Sequence, residues 1–475
     1  MYDICIIGAG PGGYETAVAA AKKGLTVAVI EKADLGGTCL NAGCIPTKCL
    51  CHTAEVLDEI RSASGQGIDT GEVKFDLSQA IARKNEIVGK LKQGIEALMK
   101  TPGITLYRGE ARLVDNHTIE VKNCSNDLEG SNGSTTLSVD NIIIATGSVT
   151  RFLPIEGAHA EGVVTSTEML NLTTLPHRLC IIGGGVIGME FAGIFGSFGT
   201  EVTVVEFCKE ILPNFDKDIA KRLRTSLKKK GITFATGAAA KSIQRASGES
   251  GDSMLVTYTE KDKDKTVECD LVLMAVGRAA NTAALNLDDL GIEYTRRGIT
   301  VDKNMQTNIP GIYAIGDVNG LMQLAHVASA HGRVALAHIL ELRNSGTQEP
   351  ETDPSLSTLH SSLSNVPSAV FTVPEAAMVG MTEEQLTASG MEYTAHKSFY
   401  RANGKALSMD ADDGLVKILT GADGEILGAH ILGAHASDLI HEIAVLMNRQ
   451  GHLSDISNTV HAHPSLSEIV SASAE

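Results

Sequence analysis

Short runs of β-branched and other apolar residues recur along the chain, each closing on a turn of small residues. Ile4-Cys5-Ile6-Ile7 and Thr26-Val27-Ala28-Val29-Ile30 bracket one stretch of helical spacing, and Cys180-Ile181-Ile182 and Val202-Thr203-Val204-Val205 bracket another. Short, β-branched runs of this kind predict strands of a parallel sheet covered on both faces. Ile142-Ile143-Ile144, Leu271-Val272-Leu273-Met274 and Ile312-Tyr313-Ala314-Ile315 predict further strands ending in small-residue turns. Residues 82–100 predict a helix, and residues 104–145 predict short strands with a polar loop over 123–134. Residues 345–366, rich in Ser, Thr, Pro and Glu, predict a solvated linker. Beyond it, strands near 367–373, 391–400, 414–420 and 425–432 and a helix through 437–451 predict a separate α+β domain.

Two of these segments are copies of one unit. Cys5 to Glu31 aligns without a gap with Cys180 to Glu206, so that Gly8, Gly10, Gly13, Glu15, Gly24 and Glu31 meet Gly183, Gly185, Gly188, Glu190, Gly199 and Glu206. In a GxGxxG turn the first glycine turns the chain and the second admits a pyrophosphate against the backbone. The third lets helix and strand pack closely, and an acid ending the second strand takes a ribose hydroxyl. One such turn is a weak sign, because tight strand–helix turns need glycine on steric grounds alone. Two full copies predict two dinucleotide-binding domains. A carboxylate at Glu206 repels the extra phosphate of NADP, which favours NAD. The run Gly237-Ala238-Ala239-Ala240 is read as a loop small enough for an adenine to pass, or as a simple tight turn.

Composition narrows the function classes. At 475 residues the chain predicts about 3 to 4 domains. A formal net charge of -17 argues against general nucleic-acid binding. No apolar stretch approaches the ~20 residues of a membrane helix. No basic segment or apolar leader precedes Tyr2, so the expected location is the cytoplasm. Nine cysteines, an odd number scattered over a large chain, do not read as a secreted disulfide framework.

Cys39 and Cys44 stand out in the run Gly36-Gly37-Thr38-Cys39-Leu40-Asn41-Ala42-Gly43-Cys44-Ile45-Pro46-Thr47-Lys48. Positions five apart in an ideal helix are separated by roughly 7.5 Å of rise and face different sides. If the two bond, the segment is a distorted turn, which Gly43 permits and Pro46 tolerates. The plainer reading is two buried thiols. Two nucleotides beside a thiol pair call for a flavin as intermediary, which assigns FAD to the first repeat and NAD to the second. Lys48 and Glu190 could bring a cation and a carboxylate to the flavin ring, or form a surface ion pair. His463, with Glu468 five residues on, suits a base for a thiol. The alternatives are a core histidine, an exposed one, or a His461/His463 metal pair, and the neighbourhood lacks ligand spacing for a metal.

Together, the run Gly36 to Lys48, the two dinucleotide turns, Ala145-Thr146-Gly147, Ala275-Val276-Gly277-Arg278 with Asn281-Thr282, Gly316-Asp317, Leu324-Ala325-His326 and His461 to Glu468 resemble the class I flavoprotein disulfide reductases, the pyridine nucleotide-disulfide oxidoreductases. The resemblance spans Tyr2 to about Val470. It implies an α/β fold of two Rossmann-like dinucleotide-binding domains plus a C-terminal α+β dimerisation domain. The implied division is an FAD domain at 1–148, an NAD domain at 149–270, a central segment at 271–346 returning to the FAD domain, and the dimerisation domain at 347–475.

The resemblance also implies roles. Cys39 exchanges with a dithiol substrate, Cys44 contacts the flavin, and His463, held by Glu468, is contributed by the other subunit of a homodimer. FAD is held by Gly8, Gly10, Gly13, Glu31, Thr38, Lys48, Gly109, Ala111, Thr146, Gly147, Asp317, Gln323, Leu324, Ala325 and His326. NAD contacts Gly183, Gly185, Ile187, Gly188, Glu190, Glu206, Ala240 and Gly277. The nearest branch oxidises protein-bound dihydrolipoamide, with a lipoyl-bearing protein of a 2-oxo acid dehydrogenase or glycine cleavage complex as partner and neither nucleic acid nor membrane involved. Thr47, Ser465, the run Val327 to Gly332 without its usual acids, and the long linker depart from that branch. An NAD(P)H-dependent reductase of another disulfide is opposed by Glu206 and by a tail without extra cysteines. A catalytically silent subunit is opposed by Cys39, Cys44, His463 and Glu468.

Overall fold

The apolar runs form parallel strands, in two separate sheets. The computed structural model describes residues 1–123, 133–248, 251–345 and 354–475. Its tertiary contacts divide it into a first unit of Met1–Pro46, Arg83–Thr150 and Arg278–Leu363 and a second of Thr47–Ala82, Arg151–Gly277 and Ser364–Glu475.

In the first unit the strand Tyr2–Ile7 lies between Val27–Glu31 and Ser134–Ile144, with Ile4 opposite Val27 on one side and Asn141 on the other. Ile104–Leu113 extends one edge and Ile312–Ala314 the other, all parallel. Alternate residues of the same strands enter two cores. Ile4, Ile6, Val27 and Val29 pack with Ala17, Val334 and Ile339 from the helices and with Met99, just past the helix Leu77–Leu98. Cys5, Ile7, Ala28 and Ile30 pack with Leu113, Ile119 and Val121 of an antiparallel excursion. Burial on both faces is why these strands read as unbroken apolar runs.

The second unit repeats the plan. Its parallel sheet runs Thr233–Thr236, Glu201–Glu206, Arg178–Ile182, Leu271–Met274, Val163–Val164, with the helices Val186–Phe198 and Lys217–Lys229. A five-stranded sheet in the same unit runs Ser368–Val370, Glu375–Gly380, Ile426–Gly433, Leu415–Thr420, Thr394–Phe399, with the helix Ala436–Met447 packed on it. The two parts are tied by a buried ion pair: Lys417 Nζ lies 2.8 Å from Asp216 Oδ2, and both side chains are fully enclosed. Each charge there has its counter-ion, as burial requires.

The structure differs from the sequence reading in several places. The helix expected at 82–100 spans Leu77–Leu98. Ala238 to Ala240 do not form a loop. They open the strand Ala238–Gly248, and only Gly237, with φ 65°, makes the turn. Of the expected linker, residues 346–353 lie outside the described residues, whereas Pro354–Ser364 is a helix. Proline suits a helix's first position, and Leu359 and Leu363, four apart on one face, pack against the first unit's core. Residues 124–132 of the expected polar loop also lie outside the described residues. The strand Glu375–Gly380 begins directly after Pro374, where the Pro-Glu pair breaks the apolar pattern.

Candidate active site

Both glycine turns separate glycines the chain needs from glycines it does not. A Cβ on Gly13 would sit 1.9 Å from the Gly8 carbonyl oxygen, and one on Gly188 would sit 2.0 Å from that of Gly183. These glycines are demanded by packing. Gly10 and Gly185 are not: around Gly185 nothing lies within 4 Å, and Gly10 has only the Gly37 Cα at 4.0 Å. Their backbones, at φ -71° and -77°, suit any residue. Each instead begins a helix, Pro11–Lys22 or Val186–Phe198, with no side-chain cap bond. A helix start with open N–H groups and space above its glycine fits the pyrophosphate of a dinucleotide.

The repeat extends to the acids. Glu31 accepts the Ala9 N–H at 2.7 Å and the Ala33 N–H at 2.8 Å. Glu206 accepts the Gly184 N–H and, at 2.5 Å, the Cys208 N–H. Both carboxylates are buried and anchored to the turn they follow.

The cysteine run breaks where the sequence suggested. A helix covers Gly37–Ala42 and another starts at Cys44, with Gly43 between them at φ -148° and ψ -113°. A Cβ at Gly43 would lie 2.9 Å from the Thr38 carbonyl oxygen. Leu35 and Leu40 anchor the short helix in the core, and Asn41 donates to the Leu35 and Gly37 carbonyls, each at 2.9 Å. Pro46 falls in the first turn of Cys44–Ser62, where it removes no helical bond. Cys39 is half-buried and Cys44 exposed.

In the same unit, Ser148 Oγ donates to Asp317 Oδ2 at 2.5 Å, and Arg278 Nε donates to Ser148 Oγ at 2.7 Å. Pairing of Arg278 with Thr150 across the antiparallel strands Ser148–Thr150 and Arg278–Ala280 sets this geometry. Burial holds the Arg278 guanidinium below its usual value, opposed by Asp317 and Cys44. Thr146 Oγ1 donates to the Asn281 carbonyl at 2.7 Å, beside Gly147 at φ 70°. Gln323 and Leu324 precede the helix Ala325–Ser345, which begins with Ala325 and His326. A Cβ at Gly109 would meet the Lys122 carbonyl oxygen at 2.3 Å, and the Ala111 side chain belongs to the core.

The second unit brings Lys48 to Glu190. The ammonium lies 2.8 and 3.0 Å from the two carboxylate oxygens. Glu190 is only 5% exposed, so this is no surface pair. The Phe371 N–H also donates to Glu190, at 3.1 Å. Ile187 and Gly188 lie on the same helix as Glu190, and Gly277 has φ 100°.

His463 Nδ1 is 2.9 Å from Glu468 Oε1, while the Ser465 N–H donates to Oε2 at 2.8 Å. The Ser465 N–H and the His463 bond hold the Glu468 carboxyl below the usual range. That bond is a backbone one, so it is the same for serine or threonine at 465. With Nδ1 engaged, Nε2 is left as the basic nitrogen of a side chain 82% exposed. His461 makes its own contacts, to Glu442 at 2.9 Å and the Thr459 carbonyl at 3.0 Å. Among the described residues, no group of three His, Cys, Asp or Glu could hold a metal, and no helix is long and apolar enough to cross a membrane.

Sequence reasoning did not assign Ser148, Arg278 or Phe371 to the site. The first two border motifs that were read, whereas Phe371 acts through a backbone N–H that no side-chain pattern announces.

A fold with two dinucleotide turns and a cysteine pair is that of a nucleotide-dependent redox protein. Residues 2–332 match the pyridine nucleotide-disulphide oxidoreductase family, and residues 366–474 match its dimerisation domain. The chain is 40% identical over 476 residues to a dihydrolipoyl dehydrogenase of Bacillus subtilis (strain 168), covering 100% of this chain and 96% of that one. It is 38% identical over 475 residues to a dihydrolipoyl dehydrogenase of Geobacillus stearothermophilus, covering 100% and 95%. Among solved structures, the HOCl-induced flavoprotein disulfide reductase RclA from Escherichia coli matches with a TM-score of 0.82 at 32% identity, over 99% of this chain and 98% of that one. The chain therefore belongs to the pyridine nucleotide-disulphide oxidoreductase family. It is an oxidoreductase of the disulfide reductase class, a homodimer by its dimerisation domain, with FAD and NAD as the cofactors its family implies.

Proposed function

We propose that the chain is an NAD-dependent dihydrolipoyl dehydrogenase, acting in the cytoplasm on the lipoyl-bearing protein of a 2-oxo acid dehydrogenase or glycine cleavage complex. The observation that carries this reading is the His463–Glu468 couple at 2.9 Å, a base oriented for thiol chemistry. The full-length likeness to curated dihydrolipoyl dehydrogenases supports it. We divide the chain into FAD-binding, NAD-binding, central and dimerisation segments at 1–148, 149–270, 271–346 and 347–475.

In this reading Cys39 and Cys44 form the redox disulfide. His463 Nε2 takes the proton of a substrate thiol, and Glu468 on Nδ1 stabilises the resulting imidazolium. The substrate thiolate attacks Cys39 Sγ, the Cys39–Cys44 bond breaks, and Cys44 leaves as the thiolate. The second substrate sulfur then displaces Cys39, so the substrate closes to its disulfide and the enzyme holds the two electrons. FAD, when bound, supplies the two-electron relay from these thiols to NAD. Gly8, Gly10, Gly13, Glu31 and Asp317 serve FAD, and Gly183, Gly185, Gly188 and Glu206 serve NAD.

The test is H463Q and E468Q in the purified holoenzyme. Dihydrolipoamide oxidation is expected to fall about 10²- to 10⁴-fold in H463Q and less in E468Q, while electron transfer from NADH to an artificial acceptor persists. Full dihydrolipoamide turnover in H463Q contradicts the assigned base.

A further inference from the structure

The contacts of Phe371 on the Lys48–Glu190 pair are not accounted for by the roles above. One apolar cluster holds Leu50 of the helix Cys44–Ser62, Met189 and Phe191 of the helix Val186–Phe198, and Val370, the last residue of the strand Ser368–Val370. Those four residues, on three elements, bring the nearby Lys48, Glu190 and Phe371 together. The chain leaves its strand at Phe371, so the N–H there is donated to Glu190 Oε1, at 3.1 Å, rather than to a partner strand. The Lys48 ammonium stands 4.4 Å from the centre of the Phe371 ring, within range of a cation–π attraction. The carboxylate is thus gripped by a backbone donor and an ammonium, and the ammonium by a carboxylate and an aromatic face.

Cys51, on the helix Cys44–Ser62, feels both members of the pair, together with Glu55 on the same helix and Glu375 on the strand Glu375–Gly380. Burial pushes the Cys51 thiol up, away from ionisation. Glu375, also raised by burial, is bonded to the Ser437 N–H at 2.9 Å.

We propose that Phe371 is a positioning residue for nicotinamide binding, holding Lys48 under its ring and Glu190 on its N–H so that the pair meets the nucleotide in one arrangement. This rests on assigning the second glycine turn to the nicotinamide nucleotide, since Glu190 lies two residues past Gly188 on the helix that turn begins. Because residues 366–474 match the dimerisation domain, the residue that sets the pair belongs to that domain and not to the nucleotide-binding one.

The experiment is equilibrium binding of NAD, which does not reduce the oxidised holoenzyme, and of ADP-ribose, which lacks the nicotinamide, to oxidised holoenzyme carrying F371L or F371Y. Leucine keeps the backbone donor and removes the aromatic face, and tyrosine restores it. NAD is expected to bind about two- to tenfold more weakly to F371L and as in the wild type to F371Y, with ADP-ribose unchanged in both. Unchanged NAD binding in F371L overturns the proposal, as does an equal loss for ADP-ribose, which marks a general disturbance of the domain. A wild type that binds NAD but does not oxidise dihydrolipoamide refutes the proposed reaction and leaves this inference standing.

Discussion

Ser148 donates a 2.5 Å hydrogen bond to Asp317, across 169 positions of chain, and is itself held by Arg278. Asp317 is therefore aimed before any cofactor arrives. Replacing Ser148 with alanine removes the aim without removing the carboxylate. We expect S148A to release FAD about fivefold more readily, the equivalent of ~1 kcal/mol for one hydrogen bond. Equilibrium dialysis of the flavin checks this.

The glycine contacts predict a contrast between neighbours in one motif. G10A and G185A add a methyl group to open space, so the fold is expected to lose no more than about 1 kcal/mol. In the proposed assignment the same methyl would stand in the path of the pyrophosphate. G10A should weaken FAD at least about tenfold with NADH binding intact, and G185A the reverse. G13A drives a Cβ against the Gly8 carbonyl and is expected to destabilise the apoprotein by ~1 to 3 kcal/mol. Urea unfolding and nucleotide titration separate the two effects.

His331 predicts an acid limb of stability. It is buried, and its Nδ1 accepts the Gly316 N–H at 3.2 Å, beside Asp317. Burial pushes its pKa down to about 4. The unfolded chain, with an ordinary histidine near 6.5, takes up a proton first as pH falls. Stability is therefore full above about 6.5 and is lost between there and about 4, on the order of 3 kcal/mol. Urea midpoints measured across that range should fall in the wild type, and less steeply in H331Q.

How much of this was legible depended on whether the chemistry lay along the chain or across it. The repeat showed both nucleotide turns and both acids, because each turn is a contiguous string with its own steric logic. The break at Gly43 was legible because a disulfide between residues five apart cannot form within an ideal helix, and Gly43 is the residue that permits a break. Ser148, Arg278 and Phe371, which act across the fold, were not. Arg278 and Ser148 are set by a two-strand pairing, and Phe371 contributes a backbone N–H 181 positions from its acceptor. The helix Pro354–Ser364 was hidden for another reason. Serine and threonine dominate its composition, and its fit depends on Leu359 and Leu363 reaching a core formed by distant segments.

The most direct measurement is anaerobic turnover of the purified holoenzyme with dihydrolipoamide, offering NAD and NADP in parallel and repeating with C44S. The account predicts stoichiometric reduction of NAD, at least about tenfold preference over NADP through Glu206, and loss of turnover in C44S. Absence of NAD reduction by the wild type, or undiminished turnover in C44S, would contradict it.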